Sequence, residues 1–235
     1  MWKVVFFLRY RDDMDRAEAE RRFAGSHAEI VLETPGLLRY VQNSVLDTGG
    51  PGQSAGGRPL ADAYAAMWFA DRDAYLAATQ TPQWQRAAED AGEIFDVDWI
   101  SGGWAAEIEE RVKREGLGAP QDGIGTPPGG IKLVGILRYR SDRERDDLNA
   151  YWASTHGDIA LAIGQLGHYT QNHAIRPALG DSLAFDGFSE AWFADDATYQ
   201  EGVNSPEWTA LAEDGPNLFA GGANAVVVKE RVLRG

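Results

Sequence analysis

Leu8-Arg9-Tyr10-Arg11 returns as Leu137-Arg138-Tyr139-Arg140, and outward from this quartet the chain is written twice. At the same offset of 129, Lys3, His27, Ile30, Tyr40 and Gln42-Asn43 fall on Lys132, His156, Ile159, Tyr169 and Gln171-Asn172. After a length change the offset becomes 124, and Trp68-Phe69-Ala70-Asp71, Trp84 and Ala88-Glu89-Asp90 meet Trp192-Phe193-Ala194-Asp195, Trp208 and Ala212-Glu213-Asp214. At 120, Glu110-Arg111-Val112 meets Glu230-Arg231-Val232. Self-similarity on this scale governs the architecture. Residues 1–116 are read as one repeat and 131–235 as the second, with the Gly- and Pro-rich stretch 117–130 between them as a linker.

Each repeat parses by its periods. Residues 3–10 and 132–139 are short Val/Leu/Phe/Ile runs bounded by charge and predict buried strands. Phe23, His27, Ile30, Val31 and Thr34, and in the second repeat Leu148, Trp152, His156, Ile159, Ala160 and Ile163, recur at helical spacing. Strands are expected at 37–46 and 166–175, at 63–70 and 187–194, and at 104–112 and 223–232. Asp71 and Asp195 suit helix N-caps, and Thr81-Pro82 and Ser205-Pro206 begin a further short helical segment. The order β-α-β-β-α-β is that of a ferredoxin-like unit. Each four-stranded sheet leaves one face to bury, and its twin is the obvious cover. The expected class is therefore α+β, with two ferredoxin-like repeats forming an intramolecular α+β barrel.

The 235 residues carry no cysteine, 44% hydrophobic residues and a net charge of -14 from 36 acidic and 22 basic side chains. A negative surface field repels phosphate backbones and anionic lipid heads, so neither nucleic acid nor membrane is an expected partner. Without cysteine there is no thiolate nucleophile, disulfide framework or cysteine-ligated metal. The opening apolar run is cut by Arg9 and Arg11, and nothing approaches the roughly 18 apolar residues of a membrane span. A cytoplasmic location is expected. The Gly-rich stretch 49–57 lacks the strand-to-helix context of a phosphate cradle, and no histidine–carboxylate spacing suits a metal.

The arginine-bearing first strand, Trp152 with His156, Tyr169 thirteen residues on, and Asp186-Gly187 leading to Glu190-Ala191-Trp192-Phe193 together resemble the EthD-like branch of the dimeric α+β barrel superfamily. The resemblance spans both repeats. It implies a superfamily that includes muconolactone isomerases and methylisomerases, cofactor-free monooxygenases, polyketide cyclases, dehydratases and haem enzymes. Methylisomerases of this kind have a helix histidine and a second-strand tyrosine in their pocket, positions similar to His27 with Tyr40 and to His156 with Tyr169. The first repeat departs from the pattern, with Arg22-Phe23 for Tyr151-Trp152 and Ala66 for Glu190.

Histidine alone titrates near neutrality without perturbation, which makes His156 the candidate acid-base residue, with Tyr169 as the acid or hydrogen-bond donor that acts beside it. A histidine on an apolar helix face is also often a satisfied core residue; its recurrence in both repeats favours a role. Tyr169, Gln171 and His173 share one strand face and His168 the other. A row of buried polar groups suggests a pocket, or pairing across the seam between sheets. Glu190, among aromatic neighbours, is a candidate catalytic carboxylate with a raised pKa, or else an ion-pair partner of Arg138 or Arg140. Trp152, His173, Gln171, Arg138 and His168 complete the expected substrate-binding set, with His27 and Tyr40 as first-repeat equivalents. The expected activity is a cofactor-independent lyase, isomerase or dehydratase acting on a small hydrophobic, aromatic or phenolic molecule in the second repeat. A cofactor-free monooxygenase or polyketide cyclase, and a non-catalytic ligand-binding protein, are the alternatives. No haem or metal is expected, and the repeats should form a pseudo-dimer that could itself pair into a homodimer.

Overall fold

The computed structural model describes residues 1–46, 59–116, 126, 129–221 and 224–235. The Gly-rich stretch 49–57 and nearly all of the expected linker lie outside them. The first half runs β1 (Trp2–Leu8), α1 (Arg16–Arg22), α2 (Ala28–Leu32), β2 (Arg39–Val45), β3 (Ala63–Phe69), α3 (Arg72–Thr79), α4 (Pro82–Gly92), α5 (Val97–Trp99) and β4 (Ala105–Arg114). The second runs β5 (Ile131–Leu137), α6 (Arg145–Tyr151), α7 (Gly157–Leu161), β6 (His168–Pro177), β7 (Gly187–Phe193), α8 (Asp196–Val203), α9 (Pro206–Asp214) and β8 (Asn224–Arg234). The predicted caps hold: Asp71 and Asp195 accept from the backbone N–H groups of Ala74 and Thr198. Thr81 and Ser205 do so for Trp84 and Trp208, although α4 and α9 run on for 11 and 9 residues.

Every strand pairing is antiparallel, in the closed order β1-β3-β2-β8-β5-β7-β6-β4. Within each half this is the ferredoxin order, with the first strand between third and fourth. The seams β2–β8 and β4–β6 join the two sheets into one eight-stranded barrel. Closure removes the free edges that a lone ferredoxin sheet would expose. Both faces of β1, β3, β5 and β7 are then covered, which explains their near-continuous apolar runs, while the second halves of β4 and β8 emerge into solvent and carry charge. On β1, Val4 and Leu8 pack outward beneath the helices, while Val5 and Phe7 pack inward. No helix among the described residues is long and apolar enough to cross a membrane.

The barrel interior is not uniformly apolar. Lys3 Nζ donates to Asn172 Oδ1 (2.7 Å), Glu190 Oε2 (3.2 Å) and Glu110. Its counterpart Lys132 donates to Asn43 Oδ1 (3.0 Å), Glu230 Oε1 (2.5 Å) and Glu190 Oε1 (2.7 Å). Each lysine thus meets a glutamate of its own half and an asparagine of the other. Glu190, which has Ala66 as its counterpart, is the one acid that both share. Tyr64 OH (2.7 Å) and Asn172 Nδ2 (2.9 Å) complete its shell. Burial opposes ionisation of Glu190, but the Lys132 and Lys3 ammonium groups outweigh it and hold its carboxyl far below the usual carboxylate range.

Candidate active site

In both halves the helix carrying the histidine contains a π turn, Phe23–His27 and Trp152–His156. The extra residue per turn is rare and frequently found at functional sites. A second-strand glutamine pins each turn. Gln42 Nε2 donates to Phe23 O (2.6 Å), and Gln171 Nε2 to Trp152 O (2.7 Å). Bulk is matched across the halves. The buried Trp152 ring would collide at 2.6 Å with a Cβ at Gly187, whereas the smaller Phe23 has Ala63 in that place. Asp186 and Asp62 of the adjoining turns accept from the backbone N–H of Tyr139 (2.8 Å) and Tyr10 (2.9 Å), a structural duty.

The turn delivers His156 to a carboxylate on α9. His156 Nδ1 lies 2.7 Å from Asp214 Oδ2, and Tyr151 OH donates to Asp214 Oδ1 (2.6 Å). An Nδ1–H donated to Asp214 leaves Nε2 as the free nitrogen. Burial pushes the His156 pKa down, partly offset by Asp214, while hydrogen bonds from Tyr151, Asn217 and His156 hold the Asp214 carboxyl low despite its own burial. The pair is therefore a neutral imidazole beside a carboxylate at neutral pH.

His156 lines a cavity of about 540 Å3 between the sheet and α7 and α9. Tyr169 and Ser189 are its other polar side chains; the rest of the described lining, including Leu133, Trp208 and Phe219, is apolar. Burial raises the Tyr169 pKa, so its phenol stays a proton donor. The first half repeats the dyad, with His27 Nδ1 at 2.8 Å from Asp90 Oδ2. Its cavity measures only about 160 Å3. Phe6, whose ring lies 6.2 Å from that of Trp84, stands where the second half has Gly135, and Met67 stands where it has Ala191. Two large side chains therefore fill space that remains open around His156.

Of the sequence-predicted residues, His156 and Tyr169 share this cavity, as do His27 and Tyr40 in the smaller one. The others fall elsewhere. Thr170 pairs with Glu190 and Tyr169 with Ala191, so side-chain alternation sends Glu190 into the barrel, away from His156. Its partners are Lys3 and Lys132 rather than Arg138 or Arg140, and its pKa falls rather than rises. Arg138 is exposed, and Arg140 pairs with Asp142 at 2.6 Å. His168 faces the barrel mouth, with Nε2 at 3.1 Å from Thr170 Oγ1. His173 packs on Trp152 (ring centroids 4.3 Å apart), and burial brings its pKa down to about 4. Gln171 and His173 thus support the π turn, which begins at Trp152, from behind. Sequence reasoning missed Asp214, Tyr151, Ser189 and Gly135, although the aligned Asp90 and Asp214, and the change from Phe6 to Gly135, are visible in the repeat.

A closed barrel of two ferredoxin-like halves with helices outside and a histidine-bearing cavity under one helix layer is the dimeric α+β barrel architecture in a single chain. The EthD domain profile matches residues 11–98 and 140–222, and the chain belongs to that family. No curated protein sequence matches it. Among solved structures it is similar to an anthrone oxidase-like protein (TM-score 0.65, 11% identity, 98% of this chain and 92% of that one). It is also similar to a proposed monooxygenase from Fusobacterium nucleatum (TM-score 0.58, 11% identity, 98% and 93%). A third, a proposed monooxygenase from Lactobacillus acidophilus, gives a TM-score of 0.53 at 12% identity over 98% and 94%. At these identities the likeness is one of fold.

Proposed function

We propose that the chain is a cofactor-independent lyase, isomerase or dehydratase that acts on a small aromatic or phenolic molecule in the second-half cavity. The observation that carries this reading is the His156–Asp214 dyad opening onto a large apolar cavity that also holds a neutral tyrosine. His156 Nε2 takes a proton from a carbon beside a carbonyl, or from a phenol. Tyr169 donates a hydrogen bond to the oxygen on which negative charge develops, and the imidazolium returns the proton at another position or to a leaving hydroxyl. Asp214 is a positioning residue: it fixes the tautomer and stabilises the imidazolium. The apolar walls exclude water, which strengthens each of these interactions.

Incubation with candidate phenols and cyclic ketones under anaerobic conditions tests the reading. Product formation that is lost in His156→Ala is expected. A strict requirement for dissolved oxygen, with its stoichiometric consumption, would replace it with the monooxygenase alternative that the names of the structural relatives suggest. Tight binding without any turnover would instead mark a ligand-binding protein.

A further inference from the structure

Ser189 is the cavity's one polar side chain outside the His156–Tyr169 pair, and its hydroxyl has no hydrogen-bond partner among the described residues. It sits directly over Gly135, its cross-strand neighbour: a Cβ there would lie 2.9 Å from Ser189 Oγ. The first half has Phe6 opposite Ala65 at these places, so the hydroxyl and the room for it are a paired difference. Across β6 and β7, Tyr169 pairs with Ala191, which makes Ser189 its diagonal neighbour. Such neighbours stand roughly 7–8 Å apart on one face of a sheet. No lysine, arginine or carboxylate lines the cavity among the described residues. A ligand carboxylate would therefore be desolvated without a counter-ion.

We propose that Ser189 is a specificity-determining residue, and that the substrate is an uncharged fused-ring molecule with oxygen functions at opposite ends. One oxygen meets His156 and Tyr169; the other meets Ser189, in the space that Gly135 leaves. This rests on reading the second-half cavity as the substrate site. Binding tests it apart from catalysis, by calorimetric titration of the whole protein with 2-naphthol, 2-naphthoate and 2,6-dihydroxynaphthalene. The dihydroxy compound should bind more tightly than 2-naphthol, and 2-naphthoate at least about tenfold more weakly than 2-naphthol. Ser189→Ala should weaken the dihydroxy compound about fivefold and leave 2-naphthol within about twofold. Equal affinities for naphthol and naphthoate, or a Ser189→Ala effect that is absent or the same for both phenols, would overturn the proposal. If these selectivities hold while His156→Ala keeps full activity, only the catalytic reading falls. If turnover needs His156 while the selectivities fail, only this inference does.

Discussion

Asp214 and Asp90 hold the same bond to a histidine, but their second partners differ. Asp214 also accepts from the neutral Tyr151 phenol, whereas Asp90 is paired with the Arg22 guanidinium at 3.2 Å. Arg22 shares the Asp90 charge and further opposes a positive His27, so the imidazolium that the proposed mechanism requires is better supported in the second half. Asp214→Asn should lower kcat while the fold is kept. It should also move the acid limb of kcat/KM to lower pH, because the carboxylate that raises the His156 pKa is gone. In the unaltered protein that limb should lie below the ordinary histidine value of about 6.5, since burial lowers the His156 pKa and the base form persists as pH falls. An acid limb above that value would contradict a buried His156 base. Neither aspartate was recognisable as functional from sequence: 58 and 63 residues separate each from its histidine, and only the fold of α9 or α4 against the π turn joins them.

At the scale of elements, the strands were legible because short Val/Leu/Phe/Ile runs bounded by charge recur at matching places in both repeats. Tyr169, Gln171 and His173 do share a face. The π turns were not legible, since one inserted residue leaves the apolar spacing of three and four almost undisturbed. Glu190 does share a strand face with Phe188 and Trp192, but that this face points into the barrel, away from His156, depends on pairing register with β6, which local alternation does not reveal. The size of each cavity is set by Phe6 on β1 and Met67 on β3 against Gly135 on β5 and Ala191 on β7. Gly135→Phe should fill the second cavity much as Phe6 narrows the first, abolishing ligand binding. Ser189 Oγ, 2.9 Å from the new Cβ, has to rotate away, and Gly135→Phe with Ser189→Ala should relieve that crowding and unfold at a higher temperature than Gly135→Phe alone. Retained ligand affinity in the double variant would mean that binding takes place elsewhere.

At the scale of the whole molecule, Glu190 is what makes the ion cluster inside the barrel asymmetric. A symmetric pair of second halves would bring two such carboxylates to the axis, and a pair of first halves none. Glu190→Ala leaves Lys3 and Lys132 short of one partner each and should destabilise the fold by about 3–5 kcal/mol, lowering Tm on the order of 10 °C. The folded-state pKa of Glu190 is depressed, so its contribution is complete above the ordinary glutamate value of about 4.3 and declines as pH falls toward the folded value. The stability lost in Glu190→Ala should therefore shrink below about pH 4. If the variant kept its Tm and lost turnover instead, Glu190 would be catalytic and the ion cluster incidental. The cluster had a sequence signal, since Lys3 and Lys132 recur in strands otherwise made of apolar residues.

The central claim is that chemistry belongs to the second cavity and depends on His156. The most direct measurement compares turnover in His156→Ala and His27→Ala, each checked for folding by circular dichroism. Loss of a general acid-base group costs about 10²- to 10⁴-fold in rate, and His156→Ala should show this while His27→Ala stays within about twofold of the parent. Equal losses in the two variants, or full activity in His156→Ala, would contradict the claim.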